Sequence, residues 1–404
     1  MMDYYALLER QPQNKVAIIE DGQQRTYGDL CRMVETCRSL LDFSAPCAFL
    51  QSDSIITQLE GFLVASGTQQ VPVLATKESK KEDYDFSNIS ENACMGVLTS
   101  GSRGKSKLLW RSFASWADFF PEQNRIFGID DRTVIFCQGS LAFTGNLNIY
   151  MGVLAAGGTI VCTEKFLPKH WLHLIGEHKV NSIYLIPSKL MLLPKFMAGQ
   201  NENIRAIVSG SQSMGRGEAD KLLQAFPKAD ITLYYGATEL NYISYIKGSD
   251  MTDDRTDVGV PFKGVSVSVQ DKQIYIDTPY HVEGIPMPFT LKDCGSIDEH
   301  GHVHFLGRAD DILSVNGRKV SSVRVTEVLE CLDGVLEAAV LCVHENDADI
   351  LTAYIGSEQE YSKQELVTLL RHGGLEDYEL PKRFVILPAL PKNESGKIDV
   401  RHLK

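Results

Sequence analysis

From residue 12 to about 75 the chain alternates short apolar runs with longer stretches of helical spacing. Lys15-Val16-Ala17-Ile18-Ile19-Glu20 reads as a strand and Asp21-Gly22 as a turn. Leu30, Met33, Val34, Cys37 and Leu40 then recur at helical spacing across residues 27–41. Residues 78–90 are polar and charged, which predicts a solvated connector. The alternation resumes with strands at 94–98 and 133–136, an apolar helix over 147–156 stopped by Gly157-Gly158, and a strand at 159–162. Further strands are expected at 182–186, 206–209 and 231–235. Helical segments between strands predict a parallel sheet covered on both faces, with ligands at the carboxyl ends of the strands.

The pattern changes after about residue 255. Residues 265–269, 273–276 and 303–306 alternate apolar and polar positions between tight turns, the mark of antiparallel β structure. The charged passage Gly307-Arg308-Ala309-Asp310-Asp311 follows, then a βαβ-like tail with a helix around 326–332. A last strand at 384–387 leads into the basic loop 391–397. The expected fold is therefore α/β: a large N-terminal domain over 1–309, of parallel sheets covered by helices with an antiparallel portion, and a small α+β domain over 310–404. No internal repeat or low-complexity tract is evident.

At 404 residues, 44% hydrophobic and 23% charged, the composition is that of an ordinary globular enzyme. A net charge of −12 argues against a surface built to neutralise nucleic-acid phosphates, so small molecules are the expected ligands. The N-terminus has an early acid and no long apolar core, and no stretch approaches a membrane span, so a cytoplasmic protein without stable membrane insertion is expected. Nine cysteines without a C-x-x-C pair read as reduced thiols. His300-Gly301-His302-Val303-His304 places two histidines on one strand face, but Asp298-Glu299-His300-Gly301 reads as a hairpin turn with outward polar residues, and no metal site is expected there.

Four stretches carry candidate chemistry. The first is Leu98-Thr99-Ser100-Gly101-Ser102-Arg103-Gly104-Lys105-Ser106-Lys107, which sets hydroxyls, two glycines and three cations behind a buried strand, a composition suited to cradling phosphate. It is not a Walker element, since the opening glycine would have to stand at Thr99. The second is Tyr235-Gly236-Ala237-Thr238-Glu239, an aromatic face, a hydroxyl and a carboxylate at the end of an apolar strand. A carboxylate beside a phosphate is repulsive unless a divalent cation lies between them, so Glu239 points to Mg²⁺. The third runs from Lys292-Asp293 through Gly307-Arg308 to Arg318, where an aspartate can accept both hydroxyls of a ribose with an arginine nearby. The fourth, Pro391-Lys392-Asn393-Glu394-Ser395-Gly396-Lys397, carries a lysine on a flexible tip. Taken singly, each also has a plain structural reading: a surface turn, a capped core strand, a salt bridge and a solvated tail.

In this order the four resemble the AMP-forming adenylating superfamily of acyl-CoA synthetases, peptide-synthetase adenylation domains and luciferases. The likeness runs from Thr26-Tyr27-Gly28-Asp29-Leu30, similar to that family's Thr-Tyr-x-x-Leu element, to Arg401-His402-Leu403. It implies that Thr99, Ser100, Gly101, Ser102, Gly104 and Lys107 hold the ATP phosphates, Lys107 rather than Lys105 being the cation there. Tyr235, with Gly236 beside it, would stack on adenine, Thr238 would contact the α-phosphate, and Glu239 would help bind Mg²⁺. Asp293 and Arg308 would hold the ribose, Asp310 would be the hinge to a mobile small domain, and Lys397 would be the adenylating lysine. The implied reaction is activation of a carboxylic acid to an acyl-AMP with release of pyrophosphate, then transfer to a thiol. CoA is the default acceptor, a phosphopantetheine arm on an acyl carrier protein the alternative. A nucleotide-binding homologue without catalysis is the reading from another class.

The departures from the family pattern are specific. Arg103 and Ser106 replace a hydroxyl residue and a proline, Leu291-Lys292-Asp293 stands for Thr-Gly-Asp, Ser314 takes the place of a lysine, and Arg324 and Thr326 stand where acids are usual. The last three lie on the face associated with thioester formation, which makes adenylation the firmer expectation. Ala142 occupies the position of a histidine or aromatic residue, and no aspartate for an α-amino group is evident, favouring a fatty or aromatic acid over an amino acid.

Overall fold

A computed structural model describes residues 4–40, 45–68, 70–99, 107–308, 311–315, 317–330, 332, 334–345, 348–357, 359–392 and 398–403. The chain divides into two compact units. The first comprises Met1–Asp254, Val258–Ser266 and Ile276–Pro288, the second Arg255–Asp257, Val267–Tyr275 and Phe289–Lys404.

In the first unit, β1 (Val16–Glu20) and β2 (Gln23–Thr26) form an antiparallel hairpin. β3 (Cys47–Leu50), β4 (Val71–Leu74), β5 (Ala93–Leu98) and β6 (Leu108–Ser112) make a small sheet in that order, parallel except for the β5–β6 hairpin. Seven further strands join the large sheet: β7 (Val134–Gln138), β8 (Thr159–Thr163), β9 (Ser182–Tyr184), β10 (Ala206–Gly210), β11 (Asp230–Ala237), β12 (Asn241–Lys247) and β13 (Val260–Pro261). Its order is β13-β12-β11-β10-β9-β7-β8-β1-β2, with six parallel strands from β11 to β1 and antiparallel edges. Strands covered on both faces need unbroken apolar runs, and every residue of β8 and β10 is buried. Helices Pro168–Glu177 and Arg216–Ala225 cover one such region, packing Trp171, Leu222 and Phe226 against Phe136, Ile183 and Ile207.

Local chemistry sets the helix starts. Thr26 and Asp29 bond each other's backbone N–H reciprocally at 3.0 and 2.8 Å, opening the helix Tyr27–Leu40. The buried Glu20 carboxylate, at the end of β1, accepts from the N–H groups of Ile55 and Ile56 at 2.9 Å and so caps the helix Ile55–Gly67. The polar connector contains one short turn, Lys81–Asp83.

The second unit holds most of a four-stranded antiparallel meander, β14 (Ser266–Gln270), β15 (Gln273–Asp277), β16 (Asp293–Ile297) and β17 (Val303–Arg308). The hairpin of β18 (Ile312–Val315) and β19 (Arg318–Ser321) follows, then a sheet of β20 (Val335–Glu345), β21 (Ala348–Ser357) and β22 (Arg383–Leu387). Helices Ser322–Glu330 and Lys363–His372 bury Val325, Leu329, Leu366 and Leu370 with Ala338, Val340 and Ile355. The first of these helices starts earlier than the apolar spacing predicts. The Ser321 hydroxyl accepts from the Arg324 N–H at 3.2 Å and caps it there.

Candidate functional site

Strand β5 carries the chain into the glycine- and lysine-rich loop, and β6 carries it out, with Leu98 opposite Leu108. Thr99 and Lys107 close the base: the Thr99 N–H donates to the Lys107 carbonyl at 2.9 Å, and the Lys107 N–H to Thr99 Oγ1 at 3.1 Å. The Lys107 side chain is exposed. Ser100, Gly101, Ser102 and Gly104 lie outside the described residues.

The second motif is the turn from β11 to β12. A bulge falls between Tyr235 and Gly236, and a Cβ at Gly236 would stand 2.5 Å from the Asn241 carbonyl oxygen, so only glycine permits this approach. The Leu240 N–H donates to the Ala237 carbonyl at 3.1 Å, tightening the turn that carries Thr238 and Glu239. At its far end Asn241 has φ 62°, and its side-chain oxygen accepts from Asn148, which in turn accepts from the Trp116 indole N–H at 2.6 Å. Tyr235, Thr238 and Glu239 are half-buried.

These two motifs are tied together inside the first unit. The Val282 N–H donates to the Glu239 carbonyl, and the Glu283 N–H to the Trp110 carbonyl on β6, both at 2.8 Å. Arg111, also on β6 and 1% exposed, donates to three carbonyls: Thr238 at 2.8 Å, Ser115 at 2.9 Å and Tyr280 at 3.1 Å. Burial pushes its guanidinium down to about 10, against the opposing pull of Cys94, Tyr4 and Glu239, so it keeps its charge at neutral pH.

In the second unit Asp293 and Arg308 are register partners on β16 and β17, with Arg308 Nε 3.5 Å from Asp293 Oδ1. The Arg308 guanidinium also donates to the Leu291 carbonyl at 3.3 Å. Lys292, standing where the resemblance expects glycine, has φ 63°, the left-handed conformation that glycine adopts without strain. The loop of Lys397 is closed at its base by the Lys392–Ile398 bridge and by the Asp399 N–H donating to Pro391 at 2.7 Å. Asp310 and Lys397 themselves lie outside the described residues.

Residues 51–284, more than half of the chain, match the family described as AMP-binding enzyme, and residues 325–397 its C-terminal domain. The chain belongs to the AMP-binding enzyme family. It is 24% identical over 325 residues to the uncharacterized acyl–CoA ligase YhfT of Bacillus subtilis, covering 74% of this chain and 66% of that one, just under two thirds. To the D-alanine–D-alanyl carrier protein ligase of Lactococcus lactis it is 25% identical over 346 residues, covering 76% and 68%. The solved o-succinylbenzoate CoA synthetase MenE of Bacillus subtilis, in complex with its acyl-adenylate intermediate, superposes with a TM-score of 0.84 at 18% identity, over 100% of this chain and 98% of that one. That likeness extends the shared fold to the whole length.

In this AMP-binding enzyme one of the departing residues, Arg324, has structural work through its side chain. Arg324 donates to the Gly374 carbonyl at 2.8 Å and lies 3.7 Å from the buried Glu379, fastening its helix to the following loop. Ser314 lends its carbonyl to the Cys342 thiol at 3.6 Å. In the loop with Ala142, Ser140 Oγ and the Leu141 N–H both donate to the buried Gln58 side chain. A Cβ at Gly145 would meet the Tyr184 hydroxyl at 2.6 Å, where Tyr184 and Tyr234 share a buried 2.8 Å hydrogen bond. The histidine turn forms as expected, with Asp298 accepting from the N–H groups of His300 and His302. The rings are less outward than expected, since His302 lies 2.9 Å from Asp257 and is partly buried. No group of metal-ligating side chains occurs among the described residues.

Arg111 and the 280–283 strap escaped the sequence reading. An arginine in an apolar strand, four residues after the loop lysine, was the available signal.

Proposed function

We propose that this protein activates a carboxylic acid with ATP, giving an acyl-AMP and pyrophosphate, and passes the acyl group to a thiol, by default that of CoA. The observation that carries the reading is the fastening of the phosphate-loop strand to the Thr238–Glu239 turn, which gathers hydroxyl, cation and carboxylate chemistry in one unit. Thr99, Ser100, Gly101, Ser102, Gly104 and Lys107 hold the phosphates. Tyr235 and Gly236 take the adenine, Thr238 the α-phosphate, and Asp293 with Arg308 the ribose. Glu239 fits Mg²⁺: it is half-buried, and among the described residues its carboxylate makes no hydrogen bond, leaving a hard oxygen donor. The ion would neutralise charge on the phosphate oxygens.

The substrate carboxylate attacks the α-phosphorus and pyrophosphate leaves. Lys107 and Lys397 stabilise the negative charge that spreads over the phosphate oxygens. Asp310 is the hinge between residues 1–309 and 310–404, and rotation there withdraws Lys397 and admits the thiol, whose sulfur takes the acyl group as AMP leaves. The acid is fatty or aromatic. Residence in the cytoplasm fits the free thiols of the eight described cysteines.

Acid-dependent ATP–pyrophosphate exchange over a panel of fatty and aromatic acids tests the reading, with Lys397→Ala lowering exchange by about a hundredfold or more. Lys107→Ala should lose more than Lys105→Ala. ATP binding without exchange against any acid would leave only a nucleotide-binding homologue. The similarity to a carrier-protein ligase favours a second acceptor, a holo acyl carrier protein, and acylation assays with CoA and with the carrier decide between them.

A further inference from the structure

We propose that Arg111 is a positioning residue for the adenylation step, aiming Thr238 and Glu239 from the strand that carries the phosphate loop; this rests on the function proposed above. A peptide unit is planar, so a hydrogen bond to a carbonyl fixes the orientation of the N–H that follows it. Both peptide planes flanking Glu239 are held in this way. Arg111 donates to the Thr238 carbonyl at 2.8 Å, and the Val282 N–H donates to the Glu239 carbonyl at 2.8 Å. With both planes fixed, the Cα–Cβ direction from which the Glu239 side chain leaves the turn is set by the backbone.

The anchors of both bonds lead back to one place. Val282 belongs to a strap whose Tyr280 carbonyl accepts from Arg111 at 3.1 Å and whose Glu283 N–H donates to Trp110 at 2.8 Å. The ties on the Thr238 and Glu239 carbonyls thus lead, directly or through the strap, to residues 110 and 111 of β6, three and four positions after Lys107. The side chain, 1% exposed and bonded to carbonyls, does not itself reach a ligand. A planar guanidinium can serve three carbonyls from one centre because its N–H groups form a fixed fork, which a lysine ammonium on a flexible stem does not reproduce. A buried arginine is costly, and an apolar residue would fill this strand position with less desolvation. The cost is understandable if the turn has to be held in a stated orientation.

The test compares wild type, Arg111→Lys and Arg111→Met for ATP–pyrophosphate exchange with a supporting acid, Mg²⁺-dependent ATP binding by calorimetry, and thermal unfolding. In the folded variants kcat should fall and the half-saturating Mg²⁺ rise, each about tenfold, with KM for the acid unchanged and the lysine variant recovering part of the loss. A folded variant with kcat and Mg²⁺ midpoint within about twofold of wild type overturns the proposal, as does a loss that only tracks the unfolded fraction. If Arg111→Met does not fold, Arg111→Lys is judged by the same criteria. Wild type without exchange and without Mg²⁺-dependent ATP binding overturns the adenylation reading and this inference together. Wild-type exchange with indifferent variants overturns this inference alone.

Discussion

Two arginines sit beside motif carboxylates, one in each unit, and they are built for opposite tasks. Arg111 is buried and its hydrogen bonds, of 2.8–3.1 Å, all go to backbone carbonyls. Arg308 has a side chain 49% exposed, and among the described residues its guanidinium makes only two long contacts, 3.5 Å to Asp293 and 3.3 Å to Leu291. A guanidinium enclosed by carbonyls has no approach left for a ligand. One that is half in water, with donors still directed outward, can exchange solvent for ribose hydroxyls or phosphate oxygens. The same residue type is scaffold in one unit and candidate ligand contact in the other, and burial together with acceptor type makes the difference.

The sharpest way to break this comparison is by stability. Arg111→Met removes the donor from three carbonyls, one of them in a buried bond, and leaves a buried side-chain position partly empty, and should lower the unfolding free energy by about 3 kcal/mol in chemical denaturation. Arg308→Met should change it by less than about 0.5 kcal/mol, since an exposed ion pair of that length contributes little. Binding should reverse the order of direct effects: Arg308→Met should weaken ATP binding by calorimetry about tenfold while leaving the unfolding midpoint in place.

A smaller effect tests the turn before Asp293. Lys292 holds a left-handed φ of 63°, so Lys292→Gly should stabilise the protein by about 0.5 kcal/mol, read as a raised unfolding midpoint. Loss of stability there would mean that the lysine side chain contributes more than its strained backbone costs.

The smallest concerns a charge of intermediate burial. Burial alone would raise Asp21, but hydrogen bonds from His170, Lys165 and Thr163 outweigh it and hold the carboxyl below its ordinary range. A carboxyl depressed in the folded state stabilises it above the unfolded pKa of about 4, and that contribution is lost as pH falls through the folded value. Asp21→Asn keeps the left-handed backbone, φ 46°, that asparagine tolerates. It should therefore lower the unfolding midpoint at pH 7 by an amount worth less than about 0.5 kcal/mol, with the gap closing as pH drops below about 4.

Much of this protein was legible without a structure. The parallel strands β7 to β11 are near-continuous apolar runs, and the helices between them repeat at helical spacing, because burial on two faces and on one face leave different periods. The four motifs were legible for a related reason: glycines, hydroxyls and charges interrupt that apolar background at strand ends. The strand assigned to 182–186 ends at Tyr184 because Pro187 opens a helical turn, and such boundaries depend on local caps that periodicity does not register.

What only the tertiary structure decided is which backbone groups each side chain meets. The sequence by itself determined the order of the motifs and the sheet that presents them, since hydrophobic period and turn chemistry are local properties. It left Arg111 indistinguishable from a misplaced surface cation, because its acceptors at 115, 238 and 280 are brought to it from up to 169 residues away. It left Lys292 looking like the loss of a required glycine, whereas the chain keeps the left-handed turn there with lysine in place. Hydrogen bonding over such separations follows from the packed fold and has no periodic trace along the chain, so the groups that fasten this site became visible only once the strands were in place.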